Sequence, residues 1–512
     1  MLRLLVALLL MTAPVFVCAQ VLPQEGSKLN FRMVGFSAPD ETWGKGSTLE
    51  IAAGKWNSAD SFAQHKVKSV AVQEHKVIVE VPAFGMQYTW RVVGAGGGDK
   101  NESSGFHHFS TGYYGTIDTN NFRVRILKPA EKYQDAYFFV DHTRALYDMK
   151  GNALWYLPDS SKFKDFPVDL KMSPYGTITM LYESAAYEVN FNGDILWKTP
   201  HDAQISGDSV EHYNHQFSML KNGHYMILGK KAGFARMVLP ETIDTDYLID
   251  DSRARNLIND PGYVQASFGT LIEYNKTGEI VWSWKLSDYF KHSDLPYFTV
   301  ARTPLDFDMH QNAFYFDEKN KVIYLSLKAC SRILKIAYPS GKVLAEYGSI
   351  FKREAKGIHN GPFVGQHACN VDAQGRLYVY NNNAFDSTGI PEVEVFEMGD
   401  GKGNILRKTW AYDCPVDADI ANKPDQWKHL ATGGNVYELP DRSFFVTMAG
   451  ESGQIFIVDR NKSLLWRAQC EHFLPHRQEW VTQAQYRASI IANKGDVERM
   501  VWEAESANED HP

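Results

Sequence analysis

"GEIVW", Gly278–Trp282, has five counterparts along the chain: "GNALW" (Gly151–Trp155), "GDILW" (Gly193–Trp197), "GKVLA" (Gly341–Ala345), "GNILR" (Gly403–Arg407) and "KSLLW" (Lys462–Trp466). Five of the six open on Gly, all six carry two adjacent apolar residues, and four end in Trp. Glycine opens a tight turn at positive φ, and the strand behind it presents a Trp able to wedge between neighbouring sheets. Repetition of one such unit is the mark of sheets packed radially around an axis. The expected fold is therefore all-β, a six-bladed β-propeller over residues 113–512. Unequal spacing leaves room for insertions, the largest being Met237–Gln265 with its acidic "TIDTDYLIDDSRARNLINDPGY", expected to form a loop or short helix over one face. The tail segment "EWVTQAQYRASII" from Glu479 is expected to close the ring against an early strand.

Ahead of the repeats, residues 20–112 read differently. "KLNFRMVGF", "STLEIAAG", "KSVAVQEHKVIVEVP", "MQYTWRVVGAG" and "GFHHFSTG" alternate apolar and polar residues and are broken by Gly, Pro and Asp. That is the pattern of a small β-sandwich. The run "GAGGGDKNESSG" from Gly94 reads as its hairpin loop and is too irregular to cradle a phosphate.

The first nineteen residues read as a secretory signal peptide. One Arg, an apolar run and "VCA" before Gln20 supply its three regions. Cleavage after Ala19 fits better than lipid attachment at Cys18, because Val17 is bulky where such sites have a small residue. No later segment approaches the roughly 20 apolar residues that span a bilayer, so a periplasmic or secreted location is expected. The formal net charge is −8, and loss of Arg3 with the leader makes it one unit more negative. With no basic patch to neutralise phosphates, nucleic acid is not an expected partner. Cys330, Cys369, Cys414 and Cys470 remain. An oxidising compartment permits up to two disulfides among them, and their wide spacing is no zinc signature.

A second motif is offset from the first. "HQFSMLKNGHYMIL" places His215 ahead of Gly223 as "HACNVDAQGRLYVY" places His367 ahead of Gly375, and "HQNAFYFDEKNKVIYL" places His310 ahead of a longer turn. Val168 and Gly434 occupy the matching positions in two further units. Each falls where a blade's inner strand begins, so three of five such positions at the mouth of one channel are His. A histidine in a turn-rich β protein is more often a hydrogen-bonded loop residue. Three at one structural level is harder to explain that way, since Val and Gly show that the fold does not need them. Converging imidazoles can bind a metal or supply a nucleophile with neighbouring donors. No carboxylate completes a metal set in an obvious way, although Asp306 and Asp308 precede His310, so the nucleophile ranks higher.

At this point the residues carry a resemblance. "FVGQHACNVDAQGRLYVYNNN", "DFDMHQNAFYFDEKNKVIYLSLK" and "NHQFSMLKNGHYMIL" resemble, in motif order, segments of the bacterial arylsulfotransferases that do not use an adenylyl sulfate donor. Individually the motifs are loose; their order and joint presence are fairly specific. The resemblance implies a ping-pong transfer in which a histidine takes the sulfuryl group from an aryl sulfate and passes it to a phenol. It implies that His367 is the nucleophile, that His215, His310 and Asn312 bind the sulfate, and that the family's arginine falls on Lys328. It implies no cofactor and no metal. The oligomeric state is left open, a homodimer included.

Lysine for arginine is a departure. It keeps the charge but replaces a planar fork with a mobile point charge. Arg332, four residues on and on the same side of an extended strand, is a compensating candidate. Thr432 and Asn435, in "ATGGNV", are weaker donor candidates from the fifth blade. Tyr213, Phe307 and Phe363 are candidates for an aryl slot, with ordinary packing as the competing reading. Cys330 and Cys369 follow Lys328 and His367 by two residues each, so a disulfide between them would brace the two strands; a Cys414–Cys470 pair is the alternative. Independently of the family, a loose sulfuryl-transfer transition state, by analogy with phosphoryl transfer, asks mainly for positioning and charge stabilisation. Neutral imidazole is an available nucleophile near pH 7. The alternatives are a non-catalytic propeller holding an anionic or aromatic ligand, and a metal-dependent lyase or hydrolase. The sequons at Asn101, Asn275 and Asn461 matter only where the host glycosylates secreted chains.

Overall fold

A computed structural model describes residues 21–506 apart from 39–42, 44–45, 73–74, 95–102, 113–120, 159–166, 183–184, 201–203, 206–210, 237–262, 290–305, 349–360, 385–388, 400–404, 424–428 and 449. The signal-peptide reading, most of the "GAGGGDKNESSG" loop, Asn101 and the start of "GNILR" lie outside the described residues. The chain divides into two compact units, Met1–Tyr113 with Glu505–Pro512, and Tyr114–Ala504.

In the first unit five strands form one sheet, in the order Lys28–Leu29, His107–Thr111, Gln87–Val93, Thr48–Ala53, Lys66–Ala71, and Met33–Ser37 pairs with Lys76–Glu80 in a second. Alternating apolar residues make the core: Phe36 meets Trp90 edge-on at 5.4 Å, and Trp43 meets Trp90 at 6.1 Å. A short helix, Ala59–Gln64, begins at Ser58, whose hydroxyl accepts the N–H of Ser61.

The second unit is mostly β and propeller-like: among the described residues, six sheets of four or more strands, antiparallel except where Asp306–Asp308 joins Tyr263–Tyr274 in parallel. In chain order the second to sixth begin with the strands Val168–Met172, His212–Met219, Gln311–Asp317, Ala368–Val371 and Asn435–Glu438. The first contains Tyr137–Val140, Ala145–Asp148 and Ala153–Tyr156, and its fourth strand is Ala488–Ile491 from the tail, paired antiparallel with Tyr137–Val140. The tail does meet an early strand.

The repeated motif explains how the sheets turn and pack. Gly151, Gly193, Gly278 and Gly341 all have φ between 71° and 88°, and Lys462, where the repeat lacks glycine, has φ 67°. The Trp that follows reaches across to the next sheet. Trp155 Nε1–H donates to the Phe191 carbonyl at 2.6 Å, Trp282 to Pro339 at 2.8 Å, and Trp466, in the last sheet, to Met149 in the first at 3.0 Å. Trp155 and Trp466 bury their rings and Trp282 is half-buried, while in each the one polar atom finds an acceptor.

The large insertion departs from expectation at its base. Tyr225–Arg236 and Tyr263–Tyr274 pair along their whole length, so Tyr263–Gln265 continue a strand where a loop or short helix was expected, and 237–262 lie outside the described residues. Among the described residues Cys330, Cys369, Cys414 and Cys470 are all free and buried. Cys330, Cys369 and Cys414 sit in three separate apolar clusters, which removes the proposed brace and its alternative pairing. No described helix is long and apolar enough to cross a membrane.

Candidate active site

Two of the three histidine positions have left-handed backbone. A register shift interrupts the inner strand between Tyr213 and Phe217, where His215 adopts φ 61°, and His310, one residue ahead of the strand Gln311–Asp317, adopts φ 49°. A non-glycine residue at positive φ is uncommon and clusters at functional sites. The matching glycine, Gly434, has φ 95°, and a Cβ there would lie 2.3 Å from the Tyr380 ring, so a side chain at this position would meet a neighbouring sheet.

The three histidines converge. Ring centroids of His215 and His310 are 4.8 Å apart, and those of His310 and His367 are 6.5 Å apart. A fourth ring, Tyr486, lies 5.8 Å from His215 and 6.5 Å from His367, with its hydroxyl 2.5 Å from His215 Nδ1. Among the described residues no group of three or more His, Cys, Asp or Glu is arranged to hold a metal ion.

His367 is almost fully buried and its ring is fixed. Its backbone N–H donates to the Tyr380 carbonyl at 3.0 Å, and its ring Nδ1 lies 2.8 Å from Asn382 Oδ1. The Asn382 amide nitrogen already donates to the carbonyls of Leu430 (2.9 Å) and Gly433 (3.2 Å), so its oxygen must face the ring. An amide oxygen only accepts, so His367 Nδ1 carries the hydrogen and Nε2 keeps its lone pair. Burial, and then the charges of Lys328 and His310, hold the pKa well below the usual histidine value. The ring is thus a neutral base with its free nitrogen on the edge away from Asn382.

The loop leading to His367 is tied to the sheet before it. Gln366 Nε2 donates to Ser326 Oγ (3.1 Å) and to the carbonyls of Leu327 (3.3 Å) and Arg332 (3.0 Å), while Gly365 N–H donates to Ser331 Oγ (3.0 Å). Asn312 joins the same lattice: fully buried, it donates to the Gln366 carbonyl at 2.6 Å. Lys328 opens the turn Lys328–Ser331, in which Ser331 N–H returns to the Lys328 carbonyl at 3.1 Å, and its own N–H donates to the His310 carbonyl at 3.0 Å.

That turn corrects two expectations. Lys328 and Arg332 do not share one extended strand, because Ser331 has φ 51° and Arg332 begins the next strand. Arg332 pairs with Glu346 at 2.5 Å, so its charge is committed away from the lysine. For the same reason Cys330 does not share a strand face with Lys328. Thr432 is exposed, with its carbonyl taking Gly450 N–H, and Asn435 donates to the Ala488 carbonyl at 2.9 Å. Tyr213 and Phe363 belong to apolar clusters, Tyr213 with its hydroxyl on the Pro200 carbonyl at 3.0 Å, so both are packing residues. Phe307 lies in the strand Asp306–Asp308.

Sequence reasoning missed four residues. Asn382, fifteen residues after His367, stood in the same quoted stretch, and the hairpin register would have found it. Tyr486 and Arg487 come from the tail. Buried Arg487 donates to Asp169 Oδ1 (2.8 Å) and the Asn312 carbonyl (2.7 Å), linking the tail to the second and fourth sheets. Asp169 in turn accepts Lys171 Nζ at 2.6 Å and Phe217 N–H at 3.0 Å.

A family model described as "Arylsulfotransferase (ASST)" matches residues 241–395, a stretch holding His310, Asn312, Lys328 and His367. The match supports the arylsulfotransferase family and, in general terms, an aryl sulfotransferase activity on small molecules. No curated protein matches this chain. Among solved structures, a periplasmic gluconolactonase from Pseudomonas aeruginosa is 10% identical, with 72% of this chain and 98% of that chain covered and a TM-score of 0.38. A protein of unknown function from Bacteroides caccae is 11% identical, covering 67% and 93%, with a TM-score of 0.37. An auxiliary nutrient binding protein from Bacteroides ovatus is 10% identical, covering 91% and 90%, with a TM-score of 0.33.

Proposed function

We propose that the protein is a six-bladed propeller enzyme, exported to the periplasm or secreted, that moves a sulfuryl group from an aryl sulfate to a phenol through a sulfohistidine on His367. The six-bladed reading is supported by contacts that run from one inner strand to the next, Val168–Met172 to His212–Met219, Gln311–Asp317, Ala368–Val371, Asn435–Glu438 and Ala488–Ile491, and from this last back to Val168–Met172. The leader sequence supports export.

The observation that carries the reaction is the fixed tautomer of His367. Asn382 leaves Nε2 as a lone pair, burial and Lys328 keep it unprotonated, and His310 and Lys328 stand close by. Nε2 attacks sulfur while the S–O bond to the aryl group breaks. The charge spread over the three sulfuryl oxygens is met by Lys328 and the ring N–H of His310, while His215 stands beside them. Asn312, held to the Gln366 carbonyl, positions the nucleophile's loop and offers its second N–H. A phenol then takes the group from His367, which returns to its starting state. Splitting the displacement into two steps needs a single nucleophile and no cofactor.

4-Nitrophenyl sulfate with phenol as acceptor tests this. Release of 4-nitrophenol should depend on the acceptor, and acid-quenched protein should carry an extra mass of one sulfuryl group on the peptide containing His367. His367→Ala should lower turnover at least about 10³-fold, as loss of a covalent nucleophile does. Full activity in that variant overturns the mechanism. Tight binding of the ester by the unaltered protein without turnover favours the non-catalytic alternative.

A further inference from the structure

Sulfuryl transfer from an aryl sulfate expels a phenolate, and the departing oxygen needs a proton. We infer that Tyr486 supplies it through His215, as a relay and positioning residue that does not itself touch the substrate. The inference rests on the transfer reaction proposed above.

The geometry comes from the tail. The Tyr486 hydroxyl lies 2.5 Å from His215 Nδ1, and the Arg487 guanidinium carbon lies 5.4 Å from the Tyr486 ring centroid. Arg487 cannot drift, because Asp169 and the Asn312 carbonyl hold it. A guanidinium has only donors, and Arg487 acts on the Tyr486 hydroxyl by a hydrogen bond as well as by its charge, so the hydroxyl presents a lone pair to it and its hydrogen to His215 Nδ1. His215 is then the tautomer with its hydrogen on Nε2, the edge opposite the tyrosine. Burial pushes the Tyr486 hydroxyl up to about 12, so it keeps its proton at rest. Burial, with His310 and His367 next in weight, pushes His215 well below its usual value, so the imidazole between donor and substrate is neutral.

The step balances. His367 Nε2 bonds to sulfur as the S–O bond breaks, the aryl oxygen takes the Nε2 hydrogen of His215, and His215 Nδ1 takes the hydroxyl hydrogen of Tyr486. The tyrosinate left behind sits beside Arg487. In the second half-reaction the acceptor phenol gives its proton to His215 Nε2, Nδ1 returns a proton to Tyr486, and the acceptor oxygen displaces His367 from sulfur.

Leaving-group dependence separates this relay from a purely structural role. On phenyl sulfate, whose phenolate needs the proton, Tyr486→Phe should lose about 10²-fold in kcat/KM, within the usual range for a general acid. On 4-nitrophenyl sulfate, whose leaving group needs little help, the loss should stay under about 5-fold. Equal losses on both esters overturn the relay while leaving the His367 transfer intact; absence of turnover of either ester by the unaltered protein overturns the transfer and the relay with it. Nitrogen-15 NMR of histidine-labelled, unaltered protein gives an answer that does not depend on the variant folding. An unprotonated His215 Nδ1 is expected, and a protonated one overturns the relay.

Discussion

Two clusters of buried charge lie at the inner ends of the sheets, and they are built on opposite principles. In one, Arg487 and Lys171 meet the carboxylate of Asp169, and Asp141 accepts the backbone N–H groups of Asp169 (2.8 Å) and Leu170 (3.0 Å). In the other, the groups acting most strongly on His367 after burial are Lys328 and His310, by charge, and then Asn382, by its hydrogen bond. The first cluster brings its own anions. The second is cationic around a neutral base, which suits an anion arriving from outside. The difference shows how one architecture can hold a structural ion network and an anion-ready site side by side.

Breaking the first cluster should have the largest effect. Asp169→Asn leaves Arg487 and Lys171 buried without their carboxylate, and loss of one partner from a buried network costs about 3–5 kcal/mol. Urea unfolding should show a matching drop in midpoint with little change in slope; an unchanged midpoint would mean that the cations find other partners.

Removing the positive charge of the second cluster should cost less stability and more activity. Lys328→Met should lower kcat/KM for an aryl sulfate about 10²-fold, the usual effect of losing one donor to developing charge. The same change removes a charge that holds the His367 pKa down, so the acid limb of the kcat/KM profile should move to higher pH. Lys328→Arg should keep the limb in place. If both variants move it equally, charge is not the cause.

The smallest effect, counted per residue and per pH unit, is that of pH on stability. The folded-state pKa values of His215 and His367 are lowered, chiefly by burial, from an unfolded value near 6.5. The unfolded chain therefore binds more protons below that pH, and stability is complete above about 6.5 and lost as pH falls through and below it. The slope should be roughly 1.4 kcal/mol per pH unit for each histidine. His215→Asn and His367→Asn should each flatten it, as read from urea midpoints between pH 7.5 and 5.

The sheets were legible because their signals are local. A turn residue, usually glycine, followed by two apolar residues and often a tryptophan recurs near the outer strands of the sheets, and Trp155, Trp282 and Trp466 each bridge two sheets as that pattern implies. The histidines were legible for the same reason, since His215, His310 and His367 hold a fixed place relative to a turn. Their partners were not. Asn382 faces His367 only through hairpin register, and Tyr486 and Arg487 reach the site only because a distant strand joins the first sheet. Strand alternation says which residues share a face, but not where a bulge reverses it. That is why Lys328 and Arg332 were read as one extended strand when a turn at Ser331 separates them.

The pairing of Ala488–Ile491 with Tyr137–Val140 also sets an order in time. A growing chain exposes His215, His310 and His367 long before Tyr486 and Arg487 are made. Until those two arrive, the Asn312 carbonyl lacks its guanidinium and His215 its hydroxyl. The candidate chemistry therefore waits for the tail, and a chain that stopped before Tyr486 would carry His215, His310 and His367 and still hold an unfinished site.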